Sequence, residues 1–346
     1  MKSSNKNLNK TSDFNNDQNK SKSNSKSNSN SSKSSFNNNN NNNNITQNKK
    51  LLNQIIFGGR FQCKNNLLIG SGSFGEIYIG IDTILREYVA VKLEKIQNLK
   101  ETQLKNEKNI LELLNDTEGF PNLYDFGGYN NSFYIAIELL GPSLNDLFIY
   151  SKKNFSLQTV TLIAIQILER IEQLHKKNYI HRDIKPENFT IGIGNKSNLI
   201  YLIDFGLSKK FKDSKTMEHI LYKENHDITG TPRYASISNH LGIEQSRMDD
   251  LESISYVLIY FLKKSLPWQN VEGRNLKEKY KKILEKKLTV PIEILCKGIP
   301  KEFMTLLEYS RNLRYEERPD YEFLKGMFKE LLFREYFEDF FFWLER

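Results

Sequence analysis

Residues 181–188 read His181-Arg182-Asp183-Ile184-Lys185-Pro186-Glu187-Asn188, and sixteen residues after Asn188 comes the triplet Asp204-Phe205-Gly206. The first stretch sets a carboxylate, a lysine and an amide on one short loop. The triplet adds a second carboxylate just after a strand-like segment. Phosphoryl transfer from ATP needs such a set: one group orients the attacking hydroxyl, two hold metal, and a cation offsets charge on the moving phosphoryl group.

Upstream of this loop, three glycines are spaced as a phosphate-binding turn requires. Residues 70–77 read Gly70-Ser71-Gly72-Ser73-Phe74-Gly75-Glu76-Ile77. Glycine lets the backbone approach phosphate oxygens closely and direct its amides towards them. In dinucleotide-binding folds, glycines with the same spacing are followed directly by a helix. Here residues 77–80 continue as a strand, which favours a flap over the phosphates of ATP.

A lysine ends the apolar run Val89-Ala90-Val91-Lys92. Its ammonium group needs a partner, and we expect ATP phosphates and Glu107, on the next predicted helix, to provide it. Glu101 and Glu112 are competing partners, but Glu107 falls on the helix face that carries Leu111. Many lone lysines of this kind are edge residues whose heads reach solvent. The glycine flap upstream favours the functional interpretation.

A separate role can be assigned to each polar residue of the loop at 181–188 and to Asp204. Asp183 would orient the substrate hydroxyl and accept its proton late in transfer, while Lys185 would offset charge on the γ-phosphate. Asn188 and Asp204 would hold Mg²⁺, which takes hard oxygen ligands. His181 is expected to bond to the backbone and not to act as a base. Any one of these residues is compatible with an ordinary surface loop, but the whole set in this order is not.

Hydrophobic periodicity divides the chain after residue 50 into a β-rich part and a helical part. We predict strands over 61–69, 76–82, 87–93 and 133–139, with an amphipathic helix over 101–115. After Gly141 the spacing becomes helical, and Ser156 is a suitable N-cap for a long helix. A strand over 199–203 leads into Asp204, and helices follow over 250–262, 275–287, 300–310 and 320–333. The predicted fold class is α+β: a small β-rich N-lobe with one main helix, about 55–139, and a larger helical C-lobe, about 142–346.

The positive charge of the chain lies almost entirely in its first fifty residues. They contain nine lysines, no arginine, and only Asp13 and Asp17 as acids, a net of +7 within the total of +8. The remainder is nearly neutral, whereas attraction to nucleic acid needs a clustered basic face. Residues 1–54 are rich in Asn, Ser and Lys and include eight consecutive asparagines at 37–44. We expect a disordered tail, because little apolar surface offsets an ordering cost of roughly 1–2 kcal/mol per residue.

The sequence also disfavours secreted, membrane-spanning and disulfide-rich proteins. The N-terminus lacks the apolar core of a secretory signal, and the longest apolar run, 256–262, is too short to cross a bilayer. Cys63 and Cys296 are single and far apart, which argues against a disulfide scaffold or a cysteine zinc site and indicates a reducing compartment. We therefore expect a soluble intracellular protein, cytoplasmic or nuclear or both, with no membrane partner.

Two alternative functions stay open. An inactive or catalytically weak scaffold would have to lack the lysine or a metal ligand, and neither is missing. A nucleic-acid-associated protein could use the basic tail, although only Phe14 and Phe36 are present there for base stacking.

Several strings resemble the casein kinase 1 family of serine/threonine protein kinases, over about residues 55–346. The matching stretches are 70–78, 138–144, 203–210 and 266–269. The decisive stretch is 229–255, where Ser236-Ile237-Ser238 stands in place of the Ala-Pro-Glu triplet of most protein kinases. The resemblance implies a bilobal protein kinase fold and transfer of the γ-phosphate of ATP to protein, with ATP and Mg²⁺ as cofactors.

The resemblance also implies further contacts with the nucleotide. Glu138 and Leu140 would belong to the hinge at the adenine, and Ile137 would guard the pocket behind it. Ser143 and Asp146 would meet the ribose. The remaining nucleotide contacts are expected from Ile69, Gly70, Ser71, Gly72, Ser73, Phe74, Gly75, Ile77, Ala90 and Thr190. Thr190 stands beneath the adenine, where the family usually has leucine, so we expect slightly weaker packing of the base.

Family members favour substrates with acidic or phosphorylated residues, often with the phosphate three residues before the target. Lys185 and Thr231 match the serine/threonine type, in which both lie near the acceptor aspartate. Arg233 matches a basic residue of the family's substrate anion site, and Lys279 falls at the spacing of a second one. An arginine fork suits phosphate. Lys279 lies in the lysine-rich run 277–282, so a solvated face competes with that interpretation. Asn270 replaces a glycine near this site, which weakens the expectation of phosphorylated substrates.

Two further expectations follow from the resemblance. Asp250 matches the aspartate that anchors the catalytic loop to the central helix. Residues 342–343 fall where the kinase domain of the family ends, and the long C-terminal tail through which many members restrain themselves does not follow; we therefore expect constitutive activity. We also expect a monomer whose partners are its protein substrates.

Overall fold

The computed structural model describes residues 54–72, 75–96, 102–213 and 215–336. Its N-terminal part contains one antiparallel sheet of six strands, in the order β1-β2-β3-β4-β6-β5. The strands are β1 (Gln54–Phe57), β2 (Phe61–Gly72), β3 (Gly75–Asp82), β4 (Tyr88–Lys95), β5 (Leu123–Tyr129) and β6 (Ser132–Glu138). Helix α1 (Gln103–Leu114) packs against β5 and β6.

Alternation along the strands gives the sheet two apolar faces. On one face Val91 and Ala136 join a small core that includes Phe57 and Phe61, all of them buried. On the other face Ile135 packs with the buried leucines of α1. This second cluster continues into the helical lobe, so one core connects α1 with the elements that follow.

The C-terminal part is mainly helical. Its helices are α2 (Leu144–Tyr150), α3 (Leu157–Lys176), α4 (Ile237–His240), α5 (Arg247–Lys263), α6 (Leu276–Thr289), α7 (Ile292–Leu295), α8 (Lys301–Asn312) and α9 (Tyr321–Tyr336). Two antiparallel pairs of short strands lie between α3 and α4: β7 (Tyr179–Ile180) with β10 (Lys209–Lys210), and β8 (Phe189–Ile191) with β9 (Ile200–Leu202). Among the described helices, none is long and apolar enough to cross a bilayer.

Helix α5 is the centre of the helical lobe. Every residue from 249 to 261 is buried, and the helix packs on α3 and α8. A helix that is apolar nearly all round has to be enclosed, since each large aliphatic side chain gains about 1.5–3 kcal/mol from full burial. Asp249 and Asp250, at its N-terminal end, are buried too, and the partners of Asp250 belong to the site described below.

The α+β class and the two-lobed architecture are confirmed, but several elements of the described residues were missed, among them β1, β5 and α2. Strand β5 contains Gly127 and Gly128, which suggest a turn more than a strand. Helix α2 has seven residues, too few to show a helical period. Strand β1 was assigned to no element, and its first residue, Gln54, was placed in the tail; the structure pairs Gln54 with Lys64 of β2.

Candidate active site

Lys92 of β4 lies between two carboxylates. Its Nζ donates to Glu107 Oε2 of α1 at 2.7 Å and to Asp204 Oδ1 at 2.9 Å. The side chain of Lys92 is 12% exposed and that of Glu107 only 4%. Burial alone would lower the pKa of Lys92, but the two carboxylates outweigh it and hold this pKa above its usual value. Glu107 is thus the glutamate bonded to the ammonium group, whereas Glu112 is bonded to Lys108 at 2.6 Å; Glu101 lies outside the described residues.

Helix α1 also holds the backbone around Asp204. Asn106 Nδ2 donates to the carbonyl oxygens of Phe205 at 3.1 Å and Ser208 at 2.7 Å. Phe205 is fully buried against Phe120, with ring centroids 6.0 Å apart. Asp204 itself has a φ of 66°, a left-handed conformation that is uncommon outside glycine. These contacts fix the direction of the Asp204 carboxylate towards Lys92.

The carboxylate of Asp183 is held from both sides. Lys185 Nζ donates to its Oδ2 at 2.5 Å, and Thr231 Oγ1 donates to its Oδ1 at 2.8 Å. Gly230 precedes Thr231 with a φ of +78°, and a Cβ there would lie 2.4 Å from the carbonyl oxygen of Arg182. Glycine is therefore required for the loop at 229–236 to approach the catalytic loop this closely.

Asp250 of α5 holds the catalytic loop from beneath. Its Oδ2 accepts the backbone N–H of His181 at 2.7 Å, and its Oδ1 accepts that of Arg182 at 3.0 Å. His175 Nε2 lies 2.9 Å from Oδ2. Burial opposes the charge of Asp250, but these bonds hold its pKa below the usual value. His181 Nε2 lies 3.1 Å from the carbonyl oxygen of Ile203, which ties the loop to the strand before Asp204.

Two side-chain oxygens remain available to a cation. Asn188 Nδ2 donates to the carbonyl oxygen of Asp183 at 2.8 Å, which leaves its Oδ1 as an acceptor. Lys92 occupies Oδ1 of Asp204, whose second oxygen is available. Burial opposes ionisation of Asp204, yet Lys92 holds its pKa below the usual value. One amide and one carboxylate oxygen fit a hard divalent cation that takes its other ligands from phosphates and water.

The glycine flap is the turn between β2 and β3, whose pairing extends to Gly72 and Gly75. Gly75 has a φ of +124°, and a Cβ there would lie 1.9 Å from the carbonyl oxygen of Leu93, so only glycine fits. The flanking strand residues stand in register: Gly70 pairs with Ile77, while Ala90 pairs with Ile137. Ile69 is half exposed. Ser73, Phe74 and the side chain of Ser71 lie outside the described residues.

The predicted hinge links β6 to α2. Gly141 N–H donates to the carbonyl oxygen of Ile191, and Ile191 N–H donates to that of Pro142, so the chain after Leu140 runs beside β8. Glu138 turns its carboxylate to Lys196 Nζ, at 2.9 Å, and to the backbone N–H of Asn122. These bonds anchor the end of β6.

Ser143 and Asp146, the predicted ribose contacts, form a capping box. Ser143 Oγ accepts the N–H of Asp146 at 3.1 Å, and Asp146 Oδ2 accepts the N–H of Ser143 at the same distance. The cap begins helix α2, which sequence periodicity did not show. Asp146 stays exposed, so capping and a contact with a sugar hydroxyl are compatible. Thr190 is bridged to Ser143 through the backbone and is 6% exposed; its Oγ1 is buried without a hydrogen-bond partner in the described part of the chain.

The two predicted anion-site residues lie on adjoining elements. Arg233 is half buried, and Trp268 Nε1 donates to its carbonyl oxygen at 2.8 Å. Lys279 is exposed on the first turns of α6. Eight residues further along the same helix face, Lys287 Nζ donates to the carbonyl oxygens of Pro232, at 3.0 Å, and Ala235. Helix α6 therefore packs against the loop that carries Arg233, and Lys279 precedes the buried Ile283 of that helix by four residues.

Sequence reasoning missed Asn106 and Lys287. Asn106 is next to Glu107, but no spacing rule marks an asparagine that binds backbone carbonyls. Lys287 is 1% exposed within a lysine-rich helix. The available signal was its position four residues after the buried Ile283, on the inner face of α6.

The fold and the site together define an ATP-dependent phosphotransferase: a lysine between two carboxylates beneath a glycine flap, and a separate aspartate held to meet a hydroxyl. A family model described as protein kinase domain matches residues 63–334 of the 346. The chain belongs to the protein kinase family. This family uses ATP with a divalent metal ion, and the oxygens of Asn188 and Asp204 are the residues that would hold such an ion here.

Proposed function

We propose that the chain is a serine/threonine protein kinase of the casein kinase 1 type, which uses ATP with Mg²⁺ and selects acceptors beside acidic or phosphorylated residues. The observation that carries the proposal is the position of Asp183, between Lys185 and Thr231. In the family that the sequence resembles, a lysine and a threonine at these positions lie near the acceptor aspartate, and this arrangement is typical of serine/threonine kinases.

The residues divide the chemistry between them. Asp183 accepts a hydrogen bond from the substrate hydroxyl and takes its proton as the bond to phosphorus forms. Lys185 and Lys92 offset the negative charge of the phosphates, and Glu107 keeps Lys92 in place. A bound Mg²⁺ would neutralise charge on the phosphate oxygens, held by Asn188 and Asp204.

Selection of acceptors is assigned to Arg233 and Lys279. A guanidinium can bind a phosphate through two parallel hydrogen bonds, and an ammonium adds a second charge. The carbonyl oxygens of residues 232, 233 and 235 are each held by Lys287 or Trp268. This support keeps Arg233 at a fixed distance from Thr231 and hence from Asp183. A fixed distance is needed if the site is to select acceptors that lie a set number of residues from a phosphate.

Constitutive activity is part of the proposal. Lys92 is bonded to both Glu107 and Asp204 in this structure. Kinases that are switched by phosphorylation control this ion pair and this aspartate. Phosphatase treatment of the purified protein is therefore expected to leave its activity unchanged.

Peptide kinetics test the proposal. Three peptides of one sequence carry serine as acceptor with phosphoserine three residues before it, serine with unmodified serine there, or tyrosine with phosphoserine there. We expect the first to have the highest kcat/KM and the third to be inert. Arg233→Gln and Lys279→Ala should each lower kcat/KM for the first peptide by roughly tenfold and leave the second within about twofold.

Lys281→Ala is the matched control, because Lys281 is exposed on the same helix and lies on another face. Equal use of the phosphorylated and unmodified serine peptides would reject the anion preference. Phosphorylation of the tyrosine peptide would reject the serine/threonine assignment. A protein that phosphorylates none of the three peptides would instead favour the alternative of an inactive scaffold with a kinase fold.

A further inference from the structure

A small cavity opens on the helical lobe, away from the glycine flap, where the end of α3 meets the starts of α5 and α9. Its volume is about 210 Å³, below the roughly 300–1,000 Å³ typical of pockets for drug-sized ligands. Four cationic side chains line it: Lys176, Lys212, Arg247 and Arg318. None of the described residues that line it is acidic, and Tyr321 adds a phenol.

Arg247 lies in the wall of this cavity with an unused donor. It is 6% exposed, and its guanidinium stacks over the ring of Phe211 at 4.5 Å. One nitrogen, Nη2, donates to the carbonyl oxygen of Glu316 at 2.6 Å. Its Nε is buried with no hydrogen-bond partner in the described part of the chain. A buried donor without a partner costs about 1–3 kcal/mol, so the protein satisfies the guanidinium of Arg247 incompletely.

The cations of the cavity are also short of counter-charges. Lys176 is paired with Glu172 at 2.6 Å. Within the described residues Lys212, Arg247 and Arg318 form no ion pair, and burial together with the charge of Arg318 lowers the pKa of Arg247. Glu172, Asp320 and Glu322 line a separate neighbouring cavity that shares only Arg318 and Tyr321, and Asp250 is bonded to His175 behind the cavity wall.

We infer that this cavity is a binding site for a small tetrahedral dianion, a phosphate or a phosphomonoester, held by Arg247 with Lys212 and Arg318. Three cations without counter-charges favour a ligand with two negative charges over a carboxylate, which carries one. A planar guanidinium with a free N–H suits a phosphate oxygen. The inference does not depend on the substrate preference proposed above.

A chain of hydrogen bonds connects the wall of this cavity with the loop at 181–188. His175 and Tyr321 form part of its wall and lie 2.5 Å apart, from Nδ1 to the phenol oxygen. The other nitrogen of His175 contacts Asp250, which holds the backbone of His181 and Arg182. An anion that fixes His175 and Tyr321 in place would therefore stabilise the contact of His175 with Asp250, and with it the loop at 181–188.

The test compares thermal unfolding and binding with three probes. These are inorganic phosphate at constant ionic strength, a short phosphoserine peptide and its unphosphorylated form. We expect phosphate to raise Tm, and Lys212→Gln/Arg318→Gln to weaken phosphate binding by at least about tenfold. Lys215→Gln, which removes an exposed lysine outside the cavity, should bind as the wild type does. A phosphopeptide that binds more tightly than phosphate identifies a protein-borne group as the natural source; the reverse order identifies free phosphate.

A second double variant separates this cavity from the substrate anion site. Arg233→Gln/Lys279→Gln should retain the phosphate-dependent rise in Tm while it loses the preference for phosphorylated peptide substrates. Arg247→Gln should abolish the rise; because Arg247 is buried, the Lys212/Arg318 variant keeps the test decisive if Arg247→Gln does not fold. A rise in Tm that persists unchanged in Lys212→Gln/Arg318→Gln would overturn the inference.

Discussion

The buried amine of Lys287 donates to the carbonyl oxygen of Pro232 at 3.0 Å, and this bond ties helix α6 to the loop that carries Arg233. The same amine contacts the carbonyl oxygen of Ala235 and lies 4.9 Å from the ring centre of Tyr256. A loop connected in this way to the centre of the helical lobe can present Arg233 rigidly to a substrate.

The first prediction concerns this anchor. Lys287→Met leaves the carbonyl oxygens of Pro232 and Ala235 without their donor, so we expect a loss of about 2 kcal/mol in the free energy of unfolding. The KM for the phosphoserine peptide should rise roughly tenfold while the KM for ATP stays unchanged, because the loop is displaced and the nucleotide site is not. Urea denaturation and steady-state kinetics measure the two effects. Lys281→Met is the control, and an unaltered peptide KM in a folded Lys287→Met protein would contradict the anchoring role.

The second prediction concerns the ion pair at the nucleotide site. Lys92→Met removes the cation between Glu107 and Asp204, and we expect kcat to fall by roughly a hundredfold or more. Lys95→Met removes an exposed lysine of the same strand and should retain activity within about twofold. Circular dichroism of each variant checks the fold, and phosphate transfer to casein checks activity. A fully active Lys92→Met protein would refute the mechanism.

Much of the site was predictable because its residues are close in sequence or fall on regular elements. Asp183, Lys185 and Asn188 share one loop, so their proximity needs no knowledge of the fold. The pairing of Lys92 with Glu107 was predictable for a different reason, since Glu107 shares the inner face of an amphipathic helix with Leu111.

The remaining contacts depend on tertiary packing that the chain does not display locally. Asn106 reaches the backbone of Phe205 across about a hundred residues, and Lys287 reaches Pro232 across 55. Ser143 and Asp146 could be recognised as a cap only after α2 was known to begin there. In each case a polar side chain binds a backbone group, and such pairs leave no periodic pattern.

The third prediction concerns the unpartnered hydroxyl of Thr190. Thr190→Val keeps the shape of the side chain and removes the buried oxygen, so we expect the free energy of unfolding to rise by about 1 kcal/mol. Thr161 is the matched control: it is equally buried, but its Oγ1 donates to the carbonyl oxygen of Leu157 at 2.8 Å. Thr161→Val should therefore lower stability. If both valine variants lose stability equally in urea denaturation, the Thr190 hydroxyl has a partner after all.

The fourth prediction concerns pH and the histidine beside Lys287. His240 Nε2 lies 3.2 Å from Lys287 Nζ and 3.1 Å from the carbonyl oxygen of Pro232. Burial, reinforced by the charge of Lys287, lowers the pKa of His240 from 6.5 to about 4. Between these values the unfolded chain binds a proton at His240 that the folded chain excludes. The free energy of unfolding therefore falls as the pH is lowered from 6.5 towards 4, by up to about 3 kcal/mol from this residue, and rises again as the pH returns.

His240→Gln removes this titration, so the difference in unfolding free energy between pH 6.5 and pH 4.5 should shrink relative to the wild type. Lys287→Met should shrink it partly, because the charge is removed while the burial remains. His226→Gln, at an exposed histidine, should leave the difference unchanged. Urea denaturation across this pH range measures all four proteins, and a wild-type slope retained in His240→Gln would show that other groups carry the acid sensitivity.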